Sequence, residues 1–253
     1  MSRFIDKLTQ IAQGGLQSMG FGVGKSESSR PKMLLVASLT EVASDNLADY
    51  VAGADAGLLP LSLLPSGVEK LGKASRAVPD IPWGGWLRGG GVKEIKQMEK
   101  VDCDFVVFPA AGTSLAISGS GEVGKILEVE ASLDVGLLPT IDDLPVDAVL
   151  IAGEEKEDYS LNWHHLMLFR RLADAVSKPL LVSVPSGVTA DELQLLWGVG
   201  VGGVIVRAGV GGLKKLRRAI DKLAFPAQGK RRKERVLLPH ISMGVDEAAE
   251  EEE

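Results

Sequence analysis

Two arginines in the sequence are each followed at once by a glycine-rich string: Arg88 by Gly89, Gly90 and Gly91, and Arg207 by Ala208, Gly209, Val210, Gly211 and Gly212. A helix-forming segment follows each string, from Val92 and from Leu213. At a helix start, unpaired N–H groups and the helix dipole favour negative charge, and a guanidinium presents a fork that matches a phosphate. Together the two strings would clamp a phosphorylated small molecule, such as a diphosphate, a phosphosugar or the phosphate of FMN. The plainer alternative is that the glycines only allow tight turns, with each arginine paired to a nearby carboxylate. Neither string is the Gly-x-Gly-x-x-Gly fingerprint of dinucleotide binding.

Glu128 and Glu130 flank Val129. On a strand, period-two alternation points both carboxylates to one face. If that face lines a site, Glu128 is the candidate for proton transfer, or a partner for Arg88 or Arg207. If the strand ends earlier, Glu130 is only a loop acid. The acidic stretch Gly153–Tyr159 offers Glu154, Glu155 and Asp158 to a divalent cation, but reads more simply as a solvated loop. His164 and His165 are adjacent, so on a helix they point about 100° apart and cannot serve one site. With a single cysteine, Cys103, and no His-x-x-x-His pair, no metal site is expected.

The elements that would position these groups recur in a two-stroke rhythm. Short apolar runs occur at Met33–Ser38, Gly57–Leu61, Trp83–Leu87, Phe105–Phe108, Ile126–Val129, Ala148–Ala152, Leu180–Val184 and Val204–Val206. Continuous apolar runs are what buried strands of a parallel sheet look like. Between and after them, Asp45–Gly53, Val68–Val78, Val92–Val101, Asn162–Val176, Thr189–Gly198 and Leu213–Leu223 read as helices. Gly112–Gly124 lacks helical periodicity. Pro31, Pro82 and Pro179 precede runs one, three and seven, whereas an acid or glycine precedes the even runs: Asp55, Asp104, Asp147 and Gly203. Eight such strokes favour a closed (β/α)8 barrel over an open sheet. Phe4, Ile5, Leu8, Ile11, Leu16 and Met19 predict an amphipathic helix over residues 4–19, packed as an extra helix on the end opposite the site. Residues 1–30 are therefore expected to be helix and Gly/Ser-rich connector, 31–225 the barrel, and 226–253 a charged, solvated tail.

The stretch from Pro179 to Leu195, followed by Gly198–Val206, resembles the seventh and eighth strokes of aldolase-type and ribulose-phosphate-binding barrels. Thr189 and Glu192 in it are spaced as a capping box. In those families a phosphate rests on backbone N–H groups of a glycine after strand seven and of a Gly-Ser pair after strand eight. The resemblance implies that role for Gly187, which follows Ser186. At the second position Arg207 and Ala208 replace Gly-Ser, so an anion there would be held by the guanidinium. No lysine lies at the C-terminal end of a predicted strand, so a Schiff-base aldolase has no obvious nucleophile. Ser38, Ser62 and Ser183 have no histidine at a neighbouring strand end. Two functions follow: an enzyme acting on or with a phosphorylated small molecule, or a non-catalytic barrel that binds a ligand or a protein.

Composition narrows the partners. A net charge of −6 over 253 residues argues against nucleic acid, which needs clustered cations. No apolar stretch approaches a membrane-spanning length, and no secretory signal is visible. The lone cysteine suits a reducing, cytoplasmic setting. A homo-oligomer is compatible with the sequence.

Overall fold

The structure, a computed structural model, describes residues 2–14, 32–39, 46–61, 65–87, 100–119, 121–130, 132–152, 159–209 and 211–224. Eight parallel strands close into a barrel in sequence order: β1 Leu34–Ser38, β2 Ala56–Leu61, β3 Trp83–Leu87, β4 Phe105–Pro109, β5 Gly124–Val129, β6 Ala148–Ile151, β7 Leu180–Val184 and β8 Gly203–Arg207. β8 pairs with β1 from Leu34↔Gly203 to Ser38↔Arg207, which completes the closure. All eight apolar runs are therefore strands, within two residues at each end. The helices described are α1 Arg3–Gly14, α2 Leu47–Val51, α3 Pro65–Ala77, α4 Trp163–Ala175, α5 Ala190–Gly198 and α6 Gly212–Asp221. The glycine-rich segment after β4 carries only a 3₁₀ turn at Leu115–Gly119, and short 3₁₀ turns at Val135–Leu137 and Pro139–Asp143 follow β5. The expected helix over 92–101, the connector and the tail beyond Ala224 lie outside the described residues.

The acids before the even strands have a common task at the N-terminal ends of the strands. Asp55 accepts from the Leu35 N–H at 2.8 Å, and Asp147 from the Lys125 N–H at 2.7 Å, so each pins the strand before it. Asp104 accepts from Ser2 Oγ and from the N–H groups of Arg3 and Phe4, at 2.7 to 2.9 Å. It thereby caps α1 from another element, satisfying donors that a helix start leaves open. Phe4 and Leu8 of α1 are fully buried, and Phe4 stacks on Phe105 with ring centroids 4.4 Å apart. The N-terminal helix Arg3–Gly14 thus closes the bottom of the barrel, and the expected stretch from residue 15 to 19 lies outside the described residues.

Asp55 also receives Arg217 Nη1 at 2.6 Å, yet burial outweighs these partners and pushes its carboxyl above the usual 3.8. The folded state then holds this proton more tightly than the unfolded chain does. Its stabilising contribution is full below the ordinary value and is lost as pH rises through the raised folded value. Melting temperatures of the wild type and Asp55→Asn should show this: the wild type's advantage is greatest below pH 3.8 and shrinks as pH rises. A constant difference would contradict the assignment. Cys103 is buried, donates to the Phe105 carbonyl at 3.2 Å, and has its thiol pushed up to about 12 by burial. It should resist iodoacetamide in the native protein and react on unfolding. The position of Cys103 ahead of β4 puts it at the end opposite the strands' C-termini.

Candidate functional site at the C-terminal mouth of the barrel

Side chains that face the barrel interior follow from strand parity. Val36, Leu58, Val107, Ile126, Leu150, Leu181 and Ile205 form one buried inner cluster, with Trp86 packed against it. Two residues further along each strand bring the chain to the mouth: Ser38, Pro60, Pro109, Glu128, Ala152, Ser183 and Arg207. In barrels of this type alternate strands supply each level of the interior. The observed pairing registers then set two levels at the mouth. The outer level holds Pro60, Pro109, Ala152 and Arg207 from the even strands. The level beneath holds Ser38, Trp86, Glu128 and Ser183 from the odd strands. Arg207 is exposed and the other seven are partly buried, while Leu58, Val107, Leu150 and Ile205 below are fully covered. Solvent therefore reaches two levels down and stops at an aliphatic floor.

Glu128 faces this mouth. Its carboxylate Oε2 accepts from Trp86 Nε1 at 2.6 Å, which fixes the side chain across the strands β3 and β5. Among the described residues no ion pair links Glu128 to Arg207. β5 ends at Val129, so Glu130 is an exposed loop acid that accepts from Ser132 Oγ.

Two loops border the mouth beside Arg207. After β7, the Val188 N–H donates to the Pro185 carbonyl at 3.1 Å and closes a turn through Ser186 and Gly187. Thr189 then starts α5 with the expected capping box: its N–H and hydroxyl meet Glu192 Oε2, and the Glu192 N–H meets Thr189 Oγ1. After β8, the Ala208 N–H is held by the Ser38 carbonyl at 2.8 Å, and the Gly212 N–H by the Gly209 carbonyl at 3.3 Å. Gly211 has φ +76°, a left-handed conformation that glycine adopts without strain, and it turns the chain into α6. Among the described residues, and apart from the chain neighbours, no heavy atom lies within 4 Å of where a Cβ would stand on Gly187, Gly209, Gly211 or Gly212. The space on the Cβ side of these four glycines is open. Arg207, Gly209, Gly211, Gly212 and Gly187 thus lie at the C-terminal ends of β8 and β7. Arg88, Gly89, Gly90 and Gly91 lie outside the described residues, as do Glu154, Glu155 and Asp158.

Residues that the spacing did not single out complete the surroundings. Trp86, which holds Glu128, carries a period-two signal: it lies two residues after Gly84 on an apolar run. Tyr159 follows the acidic loop and donates its hydroxyl to the Ser183 carbonyl at 2.7 Å. His165 is a helix cap: its Nδ1 accepts from the Asn162 N–H, and its ring packs between Tyr159 and Phe169. His164 is exposed. A cleft of about 490 Å³ beside α3 and one of about 350 Å³ between α4 and α5 lie outside the barrel, away from these groups.

No family model matches the chain, and no curated protein matches it in sequence. Solved structures do. The 3-keto-L-gulonate-6-phosphate decarboxylase of Vibrio cholerae superposes with a TM-score of 0.60 at 15% identity, over 76% of this chain and 99% of that one. KGPDC from Streptococcus mutans gives 0.57 at 14% identity, over 76% and 98%. The tryptophan synthase α-subunit of Pyrococcus furiosus gives 0.57 at 13% identity, over 75% and 97%. No helix among the described residues is long and apolar enough to cross a membrane. The chain has the closed eight-stranded parallel barrel fold of these proteins.

Proposed function

We propose that the mouth binds a small phosphorylated molecule and that Glu128 exchanges a proton with it. The observation that carries this reading is the grouping of Arg207 with the open space beside Gly187, Gly209, Gly211 and Gly212, one level above Glu128. α6 begins at Gly212, so the positive end of its dipole adds to the favourable field for an anion. The decarboxylase that shares the fold carries a phosphorylated substrate in its name, which supports the same ligand class here. Arg88 and Gly89–Gly91, at the end of β3, are the proposed second element of the clamp, and FMN is one phosphate-bearing ligand they would suit.

Binding without catalysis is favoured by one observation. Pro60, Pro109 and Ala152 occupy three of the four outer mouth positions, and none of their side chains can donate or accept a proton. On this reading the barrel serves as a ligand- or protein-binding module.

Thermal melting against phosphate, pyrophosphate, phosphosugars and FMN tests the site. A ligand at a hundred times its Kd adds about 2.7 kcal/mol to the stability of the folded state. The expected result is a rise in Tm with a phosphorylated ligand that is absent in Arg207→Ala. No rise with any of these anions would overturn the phosphate reading and leave the partner-binding barrel.

A further inference from the structure

Within the proposed mouth site, the inner level has a polarity of its own. Glu128 has one carboxylate oxygen on the Trp86 indole, a neutral donor, and among the described residues no cation lies within ion-pair distance of it. The side chain is partly buried, with the aliphatic floor of Leu58, Val107, Leu150 and Ile205 beneath it. A partly buried carboxylate whose partner among the described residues is a neutral donor gains from a positively charged ligand group. Ser38 and Ser183, at the same level, present hydroxyls that can accept further hydrogen bonds. The outer level is opposite in character, with the cation Arg207 and the backbone donors of its loop.

We infer that the ligand is zwitterionic: a protonated amine enters first and rests on Glu128, while a phosphate remains outside on Arg207 and its loop. This rests on the phosphate reading of the mouth and narrows it to phosphorylated amines. A hydroxyl in place of the amine would hydrogen-bond to the carboxylate without neutralising it. Glu128→Gln isolates the charge, because a glutamine carbonyl can still accept from the Trp86 indole and leaves the packing unchanged.

The experiment measures binding of phosphate monoesters of short ω-amino alcohols against the matching diol monophosphates, by calorimetry, on the wild type and Glu128→Gln. The wild type is expected to bind the amino esters about tenfold tighter, between the values of exposed and desolvated charge pairs. In Glu128→Gln that preference should vanish while inorganic phosphate binds both proteins equally. Equal affinity of amino and diol esters for the wild type would overturn the inference and leave the phosphate reading intact. If no monoester binds, the unphosphorylated amino alcohols decide: binding lost in Glu128→Gln keeps the amine site and removes the phosphate. Absence of that binding removes both.

Discussion

Replacing Phe4 by alanine is expected to lower the melting temperature by about 6 to 20 °C, a loss of about 3–5 kcal/mol for a chain of this size. Phe4 is fully buried under the barrel floor and stacks on Phe105 at 4.4 Å. Its ring packs on Phe105 where the other three members of the lowest interior level, Ala56, Ala148 and Gly203, offer little bulk. The cavity left by truncation cannot close easily, because every surrounding strand is fixed by its neighbours in the ring. Phe4→Leu, which keeps most of the volume, should cost less than about 1.5 kcal/mol. Equal melting of Phe4→Ala and the wild type would mean that α1 is an appendage rather than part of the core.

Gly84→Val is expected to destabilise by about 3 kcal/mol or more, at the upper end of overpacking costs. A Cβ at Gly84 would meet Phe105 ring atoms at 2.3 to 2.6 Å, where real Cβ atoms essentially never approach. Phe105 has no room to yield, since it is pressed from below by Phe4. Gly84 and Phe105 are direct register partners, so the missing side chain on β3 is what admits the large one on β4. The check is urea unfolding of the variant beside Gly187→Ala, whose added methyl meets nothing within 4 Å. Gly187→Ala should unfold close to the wild type, and similar losses in the two variants would refute the packing argument.

These two sites show where sequence patterning reaches its limit. The sequence puts Gly84 in a strand and Gly187 in a loop, but only the pairing register shows that Gly84 makes room for an aromatic ring in the core. The same holds at the mouth. Glu128 could be read as a candidate because its strand and its parity are local properties. Its bond to Trp86 could not, because the two residues meet through the β3–β4–β5 registers. Glu130 had the same parity, but β5 stops one residue short of it and its side chain is exposed.

By itself, the sequence determined the eight strands, their alternation with helices, the Thr189–Glu192 capping box and the N-terminal helix. Each depends on residues close together in the chain: apolar runs, helical spacing and turn chemistry. The alternating acids before the even strands were visible as a pattern, but not as a purpose. Their task, accepting backbone donors of the preceding strand or of α1, requires contacts across as many as 100 residues. Tertiary structure alone decided which side chains share a level of the barrel. That depends on strand stagger and closure, which no local stretch of sequence encodes.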